Sequence, residues 1–167
     1  MSDFKEIPSV LLKDIVSRFR LDINGDHGLN HWRRVGMISE YLAKETEADK
    51  DILTLFSVLH DSCREGEFID IDHGLRAAEY VDNLFKRGLL SINQDQLEKL
   101  KHACKYHNSH EAKSDDITIQ ICWDSDRLDL VRIGEEPNHE YLYTSLAKQK
   151  EAISFARLLI SEQGIRL

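Results

Sequence analysis

Apolar residues recur at helical spacing along nearly the whole chain. Leu11, Leu12, Ile15, Val16 and Phe19 predict a first amphipathic helix from Ser9 to about Leu21, and Asn24-Gly25-Asp26 then breaks the pattern. Trp32, Val35, Ile38, Tyr41 and Leu42 mark the inner face of a second helix over about 29–44. The run Ile52 to Leu59 is almost continuously apolar, and period alone leaves it open between buried strand and buried helix. The acidic start at Asp49 and Asp51 favours a helix over about 49–61. Polar, glycine-containing residues 64–70 read as a loop. Asp72 reads as the cap of a helix over 73–87 that Gly88 ends. Another helix starts at Ser91-Ile92-Asn93 and carries Leu97, Leu100, Ala103, Cys104 and His107 on one face; residues 108–115 form a loop. Residues 117–130 predict a further helix, and about 142–162 the last, ended at Gly164. Two prolines and eight glycines leave little else to interrupt helices. The expectation is an all-α, single-domain bundle of roughly seven helices over residues 1–167.

Composition narrows the class. A chain of 167 residues fits one domain able to bury its own core. No apolar stretch approaches the length of a membrane span, and the N-terminal residues lack the basic and apolar regions of a secretory signal. With 22 basic and 30 acidic residues, the net charge of −8 disfavours a nucleic-acid polymer as partner. It leaves room for a small phosphorylated substrate in a locally basic pocket. Cys63, Cys104 and Cys122 form no CxxC pair and read as reduced, mostly buried thiols of a cytoplasmic protein.

The histidines carry the chemical signal. His60-Asp61 ends the most apolar segment, so both side chains are carried inward, where a carboxylate needs a partner or a metal. That dipeptide alone is expected about once by chance in such a composition. What gives it weight is its company: His31 with Arg34 on one side of the second helix, and Asp126 in the acidic cluster Asp124-Ser125-Asp126-Arg127-Leu128-Asp129. Imidazoles and carboxylates drawn from separate helices are how bundles build metal sites. Mixed nitrogen and oxygen donors suit Mn, Fe, Co, Ni or Zn.

The order His31, His60-Asp61, Asp126 resembles the HD-domain superfamily of metal-dependent phosphohydrolases. The local contexts agree: His-x-x-Arg-Val at 31–35, Leu59-His60-Asp61, and Asp-x-Asp-Arg-Leu-Asp at 124–129. The chain is similar in particular to a branch of uncharacterised bacterial members. The matching stretches are His27-Gly28-x-x-His31-Trp32, His60-Asp61-Ser62-x-Arg64, Asp72-His73-Gly74-x-Arg76-Ala77-Ala78-Glu79 and Cys122-Trp123-Asp124-x-Asp126-Arg127-Leu128-Asp129-Leu130, within about residues 24–146.

The resemblance implies that His31, His60, Asp61 and Asp126 hold one divalent transition metal for hydrolysis of a small phosphate ester, with a nucleotide as the expected substrate. Asp61 would orient or deprotonate the attacking water. Arg34 and Arg64 would hold phosphate. His73 and His107 would touch substrate phosphate, or hold a second ion as in the superfamily's two-metal members. Bland roles stay open beside these: Arg34 as a structural partner of Asp124 or Asp129, His27 as either structural or substrate-contacting, His102, His110 and His139 as solvated, and Trp32 and Trp123 as core wedges. Two other function classes also stand. One is a non-catalytic module that binds metal or nucleotide; the other is a di-iron oxygenase, which needs the second ion.

Overall fold

The computed structural model describes residue 4 and residues 6–164, with side chains through residue 161. The sequence readings at residues 1–3, 5 and 165–167 lie outside that range. Seven α-helices form among the described residues: α1 (Ser9–Arg18), α2 (Leu29–Ala43), α3 (Lys50–Leu59), α4 (His73–Lys86), α5 (Gln94–Tyr106), α6 (Ile117–Leu128) and α7 (Lys150–Gly164). Short 3₁₀ segments at Asp129–Ile133 and His139–Tyr141 follow α6.

Local chemistry sets most boundaries. The Asp49 carboxylate accepts from the Asp51 and Ile52 amides at the start of α3, and Asp116 does the same for Thr118 and Ile119 at α6. Asn93 and Gln96 form a reciprocal capping box that begins α5, three residues after Ser91. Gly88, at φ +70°, ends α4 in the left-handed conformation.

Three expectations shift. Helix α1 stops at Arg18, because Phe19 is already extended. Asp72 precedes α4, but its side chain makes no capping bond. The last helix starts at Lys150 rather than near Leu142. There the buried Asp124 carboxylate captures the Tyr143 and Thr144 amides and the Thr144 hydroxyl, each at 2.8 Å, and those amides are lost to a helix.

Helix α2 runs through the centre, against α3, α6 and α7, while α4 packs on α5. Trp32, Ile38, Phe56, Leu59, Leu100, Ile121 and Trp123 are fully buried between these helices. Burial of this kind supplies roughly 25 cal/mol per Å² of apolar surface. Both tryptophans therefore serve the core, and the Trp123 indole donates to the Ala103 carbonyl at 3.0 Å. Gly74 lets α4 approach α5 closely: a Cβ there would lie 2.7 and 2.8 Å from the Lys105 and Cys104 carbonyl oxygens. No helix among the described residues is long and apolar enough to cross a membrane.

Candidate metal centre

Six side chains from five segments converge inside the bundle. His31 enters on the first turns of α2, and His60 and Asp61 follow the end of α3. His73 opens α4, His107 follows α5, and Asp126 lies in the last turn of α6. Around one end of the cluster, His31 Nε2 lies 3.0 Å from His60 Nε2, 3.5 Å from Asp61 Oδ2 and 3.4 Å from Asp126 Oδ1. His60 Nε2 lies 3.5 Å from the same Asp126 oxygen. At the other end, Asp61 Oδ1 lies 3.2 Å from His73 Nε2 and 3.4 Å from His107 Nε2, and those two nitrogens are 2.8 Å apart. The two oxygens of Asp61 thus face two different histidine pairs.

The rings are fixed from behind. His60 Nδ1 faces the Phe56 carbonyl at 3.0 Å, His107 Nδ1 the Cys104 carbonyl at 2.7 Å, and His73 Nδ1 the Asp70 carbonyl. A carbonyl oxygen only accepts, so these Nδ1 atoms carry the proton and a neutral ring presents a lone pair at Nε2. His31 Nδ1 meets the Asp129 carboxylate at 2.7 Å, the arrangement that orients metal-ligating histidines. Four such lone pairs pointing at one another repel unless a cation lies among them.

Two further observations fit divalent ions. Asp61 Oδ1 is buried and, among the described residues, has no hydrogen-bond partner. Ligand atoms about 2.1 Å from one ion stand roughly 3.0–3.4 Å apart in octahedral or tetrahedral geometry, close to the spacings above. Three groups of donors bring their ligand atoms within 4.8 Å of one another: His31, His60 and Asp61; His60, His107 and Asp126; and Asp61, His73 and His107.

The electrostatics favour charged carboxylates here. Burial pushes Asp61 up, but the four surrounding imidazoles outweigh it and hold the carboxyl well below its usual range. Asp126 is lowered in the same way, chiefly through His60 against burial. Burial disfavours the charged form of His60, yet Asp61 and Asp126 raise it above its ordinary value. His107 is lowered, mainly by burial. Asp129 is lowered too, with His31 and Arg34 overcoming desolvation.

Arg34 Nε and Nη2 grip Asp129 at 2.7 and 3.0 Å behind His31. Arg64 reaches the cluster, with Nη1 3.4 Å from His73 Nε2 and 3.6 Å from Asp61 Oδ1. Asp129 entered the sequence reading only as a structural partner for Arg34, and its bond to His31 Nδ1 went unread. Its signal was the i, i+3 spacing from Asp126, which sets both acids on one side of the helix end. Arg132 likewise went unread; it donates to the Asp129 and Asp26 carbonyls beside the site. His27 is half-buried and paired with Glu67 at 2.9 Å, and burial lowers it. His102, His110 and His139 are exposed. Cys104 and Cys122 are buried, and that burial pushes both thiols up.

Comparison with known proteins gives two findings. The family model described as HD domain matches residues 28–151. The solved structure of a predicted HD superfamily hydrolase from an uncultured Thermotogales bacterium superposes with a TM-score of 0.69 at 22% identity, covering 99% of this chain and 95% of that one. At that identity the likeness speaks for the fold. No curated protein matches.

Proposed function

The chain belongs to the HD domain family, and on that footing we propose that it is a phosphohydrolase of small phosphate esters, nucleotides first among them, with its donor set holding two divalent ions. The observation that carries this reading is the sharing of Asp61. Its Oδ2 faces His31 and His60, and its Oδ1 faces His73 and His107. His73 and His107 thereby serve as ligands of a second ion rather than as substrate contacts.

Bound divalent ions supply acidified water and neutralise charge gathering on phosphoryl oxygens. The chain's own residues do the rest. Asp129 and the backbone carbonyls of Phe56, Asp70 and Cys104 hold the imidazoles in one tautomer and one orientation. The Asp126 side chain keeps 20% of its surface exposed, against 0–4% for the other five, so substrate approaches from its side. Arg64, partly exposed beside His73 and Asp61, brings its positive charge to an incoming phosphate while its Nε and Nη2 rest on the Gly66 and Phe68 carbonyls.

Elemental analysis of freshly purified protein, followed by phosphate-release assays on a nucleotide panel with added Mn²⁺, tests this. Two ions per chain and turnover abolished in Asp61→Ala are expected. Unchanged turnover in that variant would overturn the assignment. The donor set would also accept paired iron, so oxygen consumption by protein holding two irons, with every phosphate ester left intact, would favour oxygenase chemistry instead.

A further inference from the structure

Beside the ligand cluster, a groove of about 410 Å³ opens between the end of α1, residues 62–65 and α4. That volume lies in the range of small-molecule sites. Four arginines line it against two carboxylates, Glu65 and Glu79: Arg18 at the end of α1 and Arg20 just past it, Arg64 from the turn after Asp61, and Arg76 from α4. On a chain of net charge −8, this concentration of guanidinium groups at one place sets the groove apart.

The four are not equivalent. Arg20 is paired with Glu65 at 2.6 Å and Arg76 with Asp70 at 2.6 Å, and Arg76 also donates to the Cys63 carbonyl, which fixes the groove's wall. Arg64 belongs to both places, because its Nη1 lies within 3.6 Å of Asp61 and it also lines the groove. Arg18 is exposed, with its guanidinium over the Tyr80 ring at 4.5 Å, and among the described residues it has no carboxylate within ion-pair distance. Asn83, whose side-chain oxygen already accepts from Arg87, adds an amide donor to the same wall.

We infer that this groove is a second anion subsite: it holds a further phosphate of the molecule whose first phosphate sits at the ligand cluster, with Arg64 between the two. The inference rests on the phosphate-ester reading above and narrows it to molecules carrying two separated phosphates. Planar guanidinium forks match phosphate oxygens in pairs, and the shared Arg64 sets the two positions side by side.

Calorimetric titration of the purified, metal-loaded protein with AMP and with adenosine 3′,5′-bisphosphate tests it, run beside hydrolysis assays on the same samples. The bisphosphate is expected to bind about tenfold tighter or better, as charge-assisted hydrogen bonds to one more phosphate would give. Arg18→Ala should bring the two ligands to within about threefold without changing AMP binding, and Arg18→Lys should recover part of the preference. Arg18 is exposed at a helix end, so folding is not at stake, and a circular dichroism spectrum checks it. Equal affinities in the wild-type protein, or a preference that survives Arg18→Ala, would overturn the subsite while leaving hydrolysis of AMP intact. An Arg18-dependent preference with no ester hydrolysed would sustain the subsite and overturn the hydrolase reading.

Discussion

Gly74 is where the fold and the candidate metal centre meet, and its replacement by alanine gives the sharpest test of both. The added Cβ would stand 2.7 Å from the Lys105 carbonyl oxygen and 2.8 Å from that of Cys104, where ordinary contact begins at 3.4 Å. Helices α4 and α5 must therefore part by about 0.7 Å, because the obstructing atoms are backbone and cannot rotate away. Overpacking of this kind costs about 1–3 kcal/mol, which lowers the melting temperature by roughly 2–12 °C in a chain of this size. The displacement falls on the second histidine pair. His73 precedes Gly74, and the Cys104 carbonyl is what orients His107. Gly36→Ala is the matched control: in the middle of α2 its Cβ would meet only Ser57 atoms at 3.5 and 3.6 Å. There the helix gains roughly 0.5–1 kcal/mol, as alanine normally gives over glycine. Thermal melts with ion counting should show Gly36→Ala more stable with its full metal content. Gly74→Ala should be less stable, and depleted at the His73–His107 end. A Gly74→Ala protein as stable as Gly36→Ala and equally loaded would refute the close-approach reasoning.

Other outcomes follow from the same geometry. Asp129→Asn keeps the shape beside His31 and Arg34 but removes the charge, so metal affinity should fall about 10- to 100-fold with far-ultraviolet circular dichroism unchanged; competition with a chelator measures this. Asp124→Ala strands two half-buried amides and a hydroxyl at residues 143–144 and should cost about 1–3 kcal/mol in urea unfolding, with earlier proteolysis in the segment before α7. Asp14 is lowered by hydrogen bonds from Arg87 and then Tyr80, so its contribution to stability is present above the ordinary carboxylate range and fades as pH falls through and below it. Arg87→Ala should therefore narrow the stability gap from wild type as unfolding is measured from pH 6 down towards pH 3; a gap that stays constant with pH would contradict that coupling.

The amino-acid order by itself determined the helices and most of their ends. Those features are local: apolar spacing selects the buried face, and Asp49, Asn93 and Asp116 satisfy amides within three residues of themselves. It also singled out His31, His60, Asp61 and Asp126, because a family's chemistry leaves short motifs around its ligands. Tertiary structure decided what those motifs do together. Arg34 was on the correct face of α2, yet which acid it would meet depended on Asp129, 95 residues away at the end of α6. The opposition of His73 and His107 depended on how closely α4 and α5 could approach, and no periodicity encodes that distance. Residues 142–149 carry no strong helix breaker, yet a buried carboxylate 19 residues earlier draws off the Tyr143 amide. Contacts across the bundle outweigh propensity wherever a buried charge must be satisfied, and such charges are concentrated at the centre of this protein.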